Sequence, residues 1–260
     1  MRRLVAVALA CATMPVYGWG PEGHSLVARI ADAQLTPAAR ARVAEILGPG
    51  STMVSISSWA DQVRRERSKT APWHFIDIPI DKAHMDMSRD CAQGDCVVAQ
   101  ILAERDVLRD PSATAVQRRE ALMFLIHFVG DMHQTLHSSD NKDKGGNTVR
   151  VVLFDRPANL HSTWDSGLLN RMPKEEELYP VLLREAQKHR RKYSKGSVAD
   201  WAEQSHKLAQ KVVYKALPPG PAGTPEPLGA DYEKLADPVI REQIEKAGDR
   251  LAKLLNDTFK

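Results

Sequence analysis

The chain has 260 residues, 43% of them hydrophobic and 27% charged, with a formal net charge of +3. That length and balance are enough for one large globular domain with a full core, and they exclude a disordered or collagen-like chain.

Residues 1–18 read as an export signal. Arg2 and Arg3 form the positive start, Leu4 to Met14 the apolar stretch, and Val16 and Gly18 the small residues before a cut. The stretch is shorter than the roughly 20 apolar residues that span a bilayer. It is also too short to make Cys11 a lipidation site. Cleavage after Gly18 starts the mature chain at Trp19. It removes two of the 36 Lys and Arg, leaving 34 against 33 Asp and Glu, a net charge of +1. A chain so nearly neutral exerts no general pull on polyanions, so any phosphate affinity must be local. Export places the protein in a periplasm or outside the cell.

From Trp19 onward the pattern is helix after helix. His24 to Leu35 has Leu26, Val27, Ile30 and Ala31 at helical spacing. Thr36 is an N-cap with Pro37 at the first helical position, and Gly48 closes that second helix. Ile56, Trp59, Ala60 and Val63 mark a third. Cys91 and Cys96, with four residues between them in a polar loop with Gly94, read as a local disulfide in an exported protein. A fourth helix carries Val97, Val98, Ile101, Leu102 and Leu108. The longest pattern runs from about Ser112 to His137. After the loop Lys144-Gly145-Gly146-Asn147 comes a strand-like run, Thr148 to Phe154. Short helical patterns resume at Leu160, Glu176, Val198 and Leu235, and residues 216–231, rich in proline and glycine, read as a loop. The expectation is one mainly α domain over 19–260 with a short β-hairpin-like segment.

His127 and Asp131 lie four apart on the longest helix and so face the same way. His161 and Asp165 repeat that spacing. Chance alone supplies about one such pair in a chain of this composition, so each pair is weak by itself. The accumulation is stronger: His127, Asp131 and His137 close a helix otherwise made of Leu, Met, Phe, Ile and Val. An ionised aspartate buried there is costly unless it is paired or bound to a cation. Imidazole and carboxylate are ordinary zinc ligands.

The ordered set Trp19-x4-His24, Trp59-x-Asp61, Trp73-His74-Phe75-x-Asp77, His127-x3-Asp131-x5-His137 and His161-x3-Asp165 resembles the S-one/P-one nucleases, the zinc-dependent single-strand nucleases of the mung bean type, which are related to zinc phospholipase C. The match runs from residue 19 to about 206, where Trp201-x-Glu203-x-Ser205 also fits. The resemblance implies a helical fold of that type and three Zn2+. Asp61, His74, His127 and Asp131 would hold the first ion. Trp19 (through its amine and carbonyl), His24 and the bridging Asp131 would hold the second, and His137, His161 and Asp165 the third. It further implies hydrolysis of single-stranded DNA and RNA to 5′-phosphorylated products by a hydroxide shared between two metals, with nucleotides as possible further substrates of a 3′-nucleotidase activity. No stable protein partner and no membrane are implied.

Other roles follow from position. Arg64, one turn beyond Asp61, could stabilise charge on a pentavalent phosphate. Phe75 could stack on an unpaired base, with Asp77 accepting hydrogen bonds from its edge. Asn147, after two glycines, could also reach the base. The α-amine of Trp19 deprotonates near pH 8, so removal of the signal would complete the second site. His133 could orient a ligand from behind, and His84, His189 and His206 are expected at the surface. Two other readings stay open at this level: a zinc phospholipase C, and a secreted zinc-binding protein without turnover, which would need closed coordination.

Overall fold

The computed structural model describes residues 18–218 and 224–260. The expected export signal, with Cys11, lies outside them except for Gly18. The chain is mainly helical, as expected. In order come α1 (Pro21–Asp32), α2 (Pro37–Leu47), α3 (Trp59–Glu66), the short α4 (Met87–Asp90), α5 (Val97–Arg109), α6 (Ala115–His133), a single turn α7 (Leu160–Ser162), α8 (Glu175–Tyr193), α9 (Val198–Leu208) and α10 (Ala230–Thr258). The Thr36 hydroxyl accepts from Ala39 N, and Gly48 ends α2 at φ 75°. The Cys91–Cys96 disulfide forms, with Cα atoms 5.2 Å apart. Closing so small a loop contributes about 2 kcal/mol in the chain-entropy model.

Helix α6 is the axle. A Thr114–Gln117 capping box starts it. From Ala121 to His133 every residue is buried, the pattern of a helix enclosed on all sides. Helices α1, α2, α3, α5, α9 and α10 pack around it. The run of Leu122 to Val129, apolar except for His127, comes from this enclosure, which hides the period an amphipathic helix would show.

Two expectations change. The longest helix is α10, with 29 residues. Its sequence reads as a short pattern because Pro238 falls inside it, as Pro180 does in α8. Both prolines sit on exposed faces, where water can satisfy the carbonyl that each one frees. The second change is at the sheet. Arg150–Leu153 (β1) pairs antiparallel with Arg156–Asn159 (β2) in the expected hairpin, but Glu226–Leu228 (β3), in the segment expected to be loop, joins β1 in parallel.

Helix α10 carries a buried polar network. Arg250 donates to Tyr193 O (2.9 Å), His133 Nε2 (2.8 Å) and Gln204 Oε1, with its guanidinium near the Trp201 ring. His133 Nδ1 donates to Val129 O at 2.7 Å, so its ring is spent between two structural partners and touches no candidate ligand. Burial and the Arg250 charge hold it well below the usual imidazole range. His206 also departs from expectation. It is fully buried, taking the Ser139 hydroxyl at Nδ1 and donating from Nε2 to Lys82 O. His84 and His189 are exposed or half-exposed.

Beside Arg250, Asp249 is 2% exposed and makes no well-formed hydrogen bond, with only partial support from the Gln34 side chain. Burial pushes its carboxyl up to about 6. The folded state therefore takes up a proton between about pH 4 and 6, and above pH 6 the buried charge costs stability. Gln34, whose buried Oε1 also lacks a partner, could accept from the protonated acid or from an amide. Asp249→Asn is expected to stabilise the protein by about 2 kcal/mol at pH 8, raising Tm by roughly 5 °C, with the gain vanishing near pH 4. Calorimetry of both proteins across that range checks it, and a gain independent of pH would refute the assignment to the Asp249 proton.

Candidate metal centre

Five separate pieces of backbone converge on one face of α6. Helix α1 brings His24, α3 brings Asp61, and the tight turn Ser68–His74 brings His74. Helix α6 and the turn after it bring His127, Asp131 and His137, and the segment from α7 through Thr163–Gly167 brings His161 and Asp165. These eight side chains are all buried. They fall into three groups whose ligand-type atoms lie within 4.8 Å of one another: His24, His127 and Asp131; Asp61, His74 and His127; His137, His161 and Asp165.

Asp131 joins the first two groups. Its Oδ1 stands 3.2 Å from His24 Nε2, while its Oδ2 stands 2.8 Å from His74 Nδ1 and 3.1 Å from His127 Nε2. The i,i+4 spacing on α6 puts His127 and Asp131 side by side. Gly130 then gives His24 its room, since a Cβ there would lie 2.7 Å from His24 Nδ1. His24 and His127 stack with ring centroids 4.0 Å apart. Asp61 Oδ1 completes the cluster, 3.7 Å from His127 Nε2 and 3.9 Å from His74 Nδ1.

Three imidazoles are fixed from behind by backbone. His127 Nδ1 donates to Ser57 O (2.8 Å), His137 Nδ1 to His74 O (2.8 Å) and His161 Nδ1 to Gly145 O (2.6 Å). In its neutral form, the one a metal cation selects, each ring turns a bare Nε2 lone pair into the site. In the third group, His137 Nε2 and His161 Nε2 face each other at 3.1 Å. Two lone pairs so close repel unless a shared proton or a metal ion lies between them. Buried atoms of His24, Asp61, His74 and Asp131 also lack partners. Donors of this type, number and orientation fit zinc.

The electrostatics agree. Burial holds His24, His74 and His161 below the usual imidazole range. At His127 burial pulls the same way, but Asp131 and Asp61 overturn it and push the ring up to about 9. Asp131 is held well below the carboxylate range despite its burial, chiefly by His127. Burial raises Asp165, and the Asp165 carboxylate raises His137 against its burial. Three carboxylates among five imidazoles form a nest for positive charge.

Arg64, Phe75, Asp77 and Asn147 stand outside the three groups. Arg64, with its side chain 12% exposed, brings Nη2 to 3.9 Å from Asp61 Oδ1. Phe75 is half-buried and Asp77 exposed. Loss of water around the Asp77 carboxyl, with the nearby Asp140 charge, pushes it up to about 6. Asn147 turns its amide back onto Lys144 O at 2.8 Å and is tied to its own loop. Trp19 is completely buried. Ahead of it, Gly18 fills the space beside the first group: a Cβ on Gly18 would lie 1.6 Å from Asp131 Oδ1 and 3.2 Å from His24 Nε2.

Sequence reading missed the carbonyls of Ser57 and Gly145, which carry no side-chain signal. It also missed Gln134, which donates to Asp165 Oδ1 at 2.6 Å. The available clue was a polar residue three positions after Asp131, where α6 ends.

Comparison with known proteins agrees with this arrangement. The S1/P1 nuclease family model matches residues 19–260. Endonuclease 2 of Arabidopsis thaliana is 32% identical over 98% of this chain and 96% of its own length. Nuclease S1 of Aspergillus oryzae is 31% identical over 98% of each. Nuclease P1 of Penicillium citrinum is 35% identical over 59% of each.

Proposed function

Because the chain belongs to the S1/P1 nuclease family, we propose that it is an exported zinc-dependent endonuclease. Its reaction would be hydrolysis of phosphodiester bonds in single-stranded DNA and RNA to 5′-phosphorylated products, with 3′-nucleotidase activity at the same centre. The observation that carries this reading is the division of Asp131, which offers one oxygen to His24 and the other to His74 and His127. A carboxylate split in that way suits two cations side by side, and His137, on the turn after α6, ties the third group to the same segment.

Zinc bound there would supply a water acidified to near-neutral pH and positive charge for the phosphate oxygens. The protein's own contribution is geometric. Backbone carbonyls lock the His127, His137 and His161 rings so that little reorganisation is needed when charge develops. Arg64, 3.9 Å from Asp61, would offer its guanidinium to a phosphoryl oxygen. The Phe75 ring and the Asp77 carboxyl suit stacking and edge recognition of an unpaired base, which a duplex would not offer. Among the described residues no helix is long and apolar enough to cross a membrane.

The test is incubation of protein beginning at Trp19 with a single-stranded oligonucleotide, with and without a chelator. Chelator-sensitive release of 5′-phosphorylated fragments is expected. No cleavage by the zinc-loaded protein would overturn the proposal.

A further inference from the structure

The two histidines of the third group are backed by main-chain carbonyls, but Asp165 is backed by a side chain. Gln134 Nε2 donates to Asp165 Oδ1 at 2.6 Å, and Gln134 Oε1 accepts the Leu136 amide at 2.7 Å. The second contact settles which end of the amide faces the carboxylate. A peptide N–H only donates, so the oxygen end is taken by Leu136 and the NH2 end is left for Asp165. Gln134 is completely buried, so its amide cannot swing into water. Its backbone is extended where α6 ends, and its side chain caps the following turn. The amide is therefore as fixed as the main chain around it.

The rest of Asp165 faces the histidines. Its Oδ2 lies 3.4 Å from His161 Nε2, and the Oδ1 that Gln134 holds lies 3.7 Å from His137 Nε2. A carboxylate can bind a cation through one oxygen or both. A strong donor on Oδ1 competes with the second mode.

We propose that Gln134 is a positioning residue of the third group: by engaging Asp165 Oδ1 it leaves Oδ2 as the single carboxylate oxygen for a cation shared with His137 and His161, and so keeps a coordination position open for a phosphate oxygen. Three protein ligands leave a tetrahedral ion one open position, whereas a chelating Asp165 would fill it. Glutamine suits the task because glutamate would set a second carboxylate against Asp165, and a hydrocarbon would leave Oδ1 buried without a partner. The inference rests on the zinc-dependent reading of the site.

The test uses protein beginning at Trp19, in wild-type, Gln134→Glu and Gln134→Leu forms. Zinc binding is measured by competition with a chromophoric chelator, beside kcat, KM and the visible spectrum of the Co2+-substituted protein. In Gln134→Glu, one class of zinc is expected to bind 10–100-fold more weakly, as for other residues that orient metal ligands. The remaining ions should keep wild-type affinity. Its kcat should fall more than its KM rises, and the Co2+ absorption should weaken as the coordination number increases. Gln134→Glu keeps the acceptor for Leu136 N, so it decides the matter if Gln134→Leu does not fold. Wild-type affinity for every ion together with an unchanged Co2+ spectrum would overturn the inference. A wild-type protein that binds no ion at the third group would instead sink the metal reading, and this inference with it.

Discussion

Asp131→Asn is expected to lower kcat/KM on a single-stranded oligonucleotide by at least about 10³-fold, beyond what the loss of one charge-stabilising donor costs. The reason is the double duty of the carboxylate. Its Oδ1 serves the His24 side and its Oδ2 the His74 and His127 side, at 2.8–3.2 Å. An amide of the same size has one oxygen and no charge, so it can satisfy one side only and balances neither cation. Zinc content should drop to the ion held by His137, His161 and Asp165, which do not use Asp131 as a ligand. The substitution preserves volume in a fully buried position, so circular dichroism should show an intact helical fold. Turnover near the wild-type rate with one zinc per chain would defeat the proposed division of labour.

The second large effect concerns the chain start. Protein that keeps Gly18 ahead of Trp19 is expected to lose roughly a hundredfold or more in activity, and to bind less zinc, relative to protein beginning at Trp19. A free α-amine has a pKa of about 7.7–8 and can give its lone pair to a metal near neutral pH, whereas a peptide nitrogen cannot do so without much higher cost. The structure adds a steric reason. With residue 18 in place, its backbone occupies the space against Asp131 Oδ1 and His24 Nε2. Trimming the extension with an aminopeptidase should restore both zinc and turnover. Equal zinc content and equal rates for the two forms would refute this account.

Part of the fold and site was legible from local signals, whereas the full ligand set came only from the family resemblance. The His127–Asp131 and His161–Asp165 spacings are set by helical geometry, the Thr36-Pro37 start and Gly48 stop by capping chemistry, and the disulfide by two neighbouring cysteines. The errors came where tertiary context overrides a local signal. The patterns at Glu176 and Leu235 read as short, yet α8 and α10 run on through Pro180 and Pro238, which face water. Glu226–Leu228 lies in a proline-rich stretch and becomes a strand only because β1 offers a parallel edge. His206 looks like any surface histidine in a polar segment, and its burial depends on Ser139 and Lys82, which are 67 and 124 residues away.

The sequence by itself determined the helical class, the donor types and their order along the chain, because those follow from residue chemistry and short-range periodicity. The tertiary structure alone decided which donors share an ion-sized space and which way each one points. That depends on carbonyls and amides from distant segments, such as Ser57, Gly145 and Gln134, turning lone pairs inward. A backbone carbonyl is the same in every residue, so its role appears only when folding brings it behind a histidine.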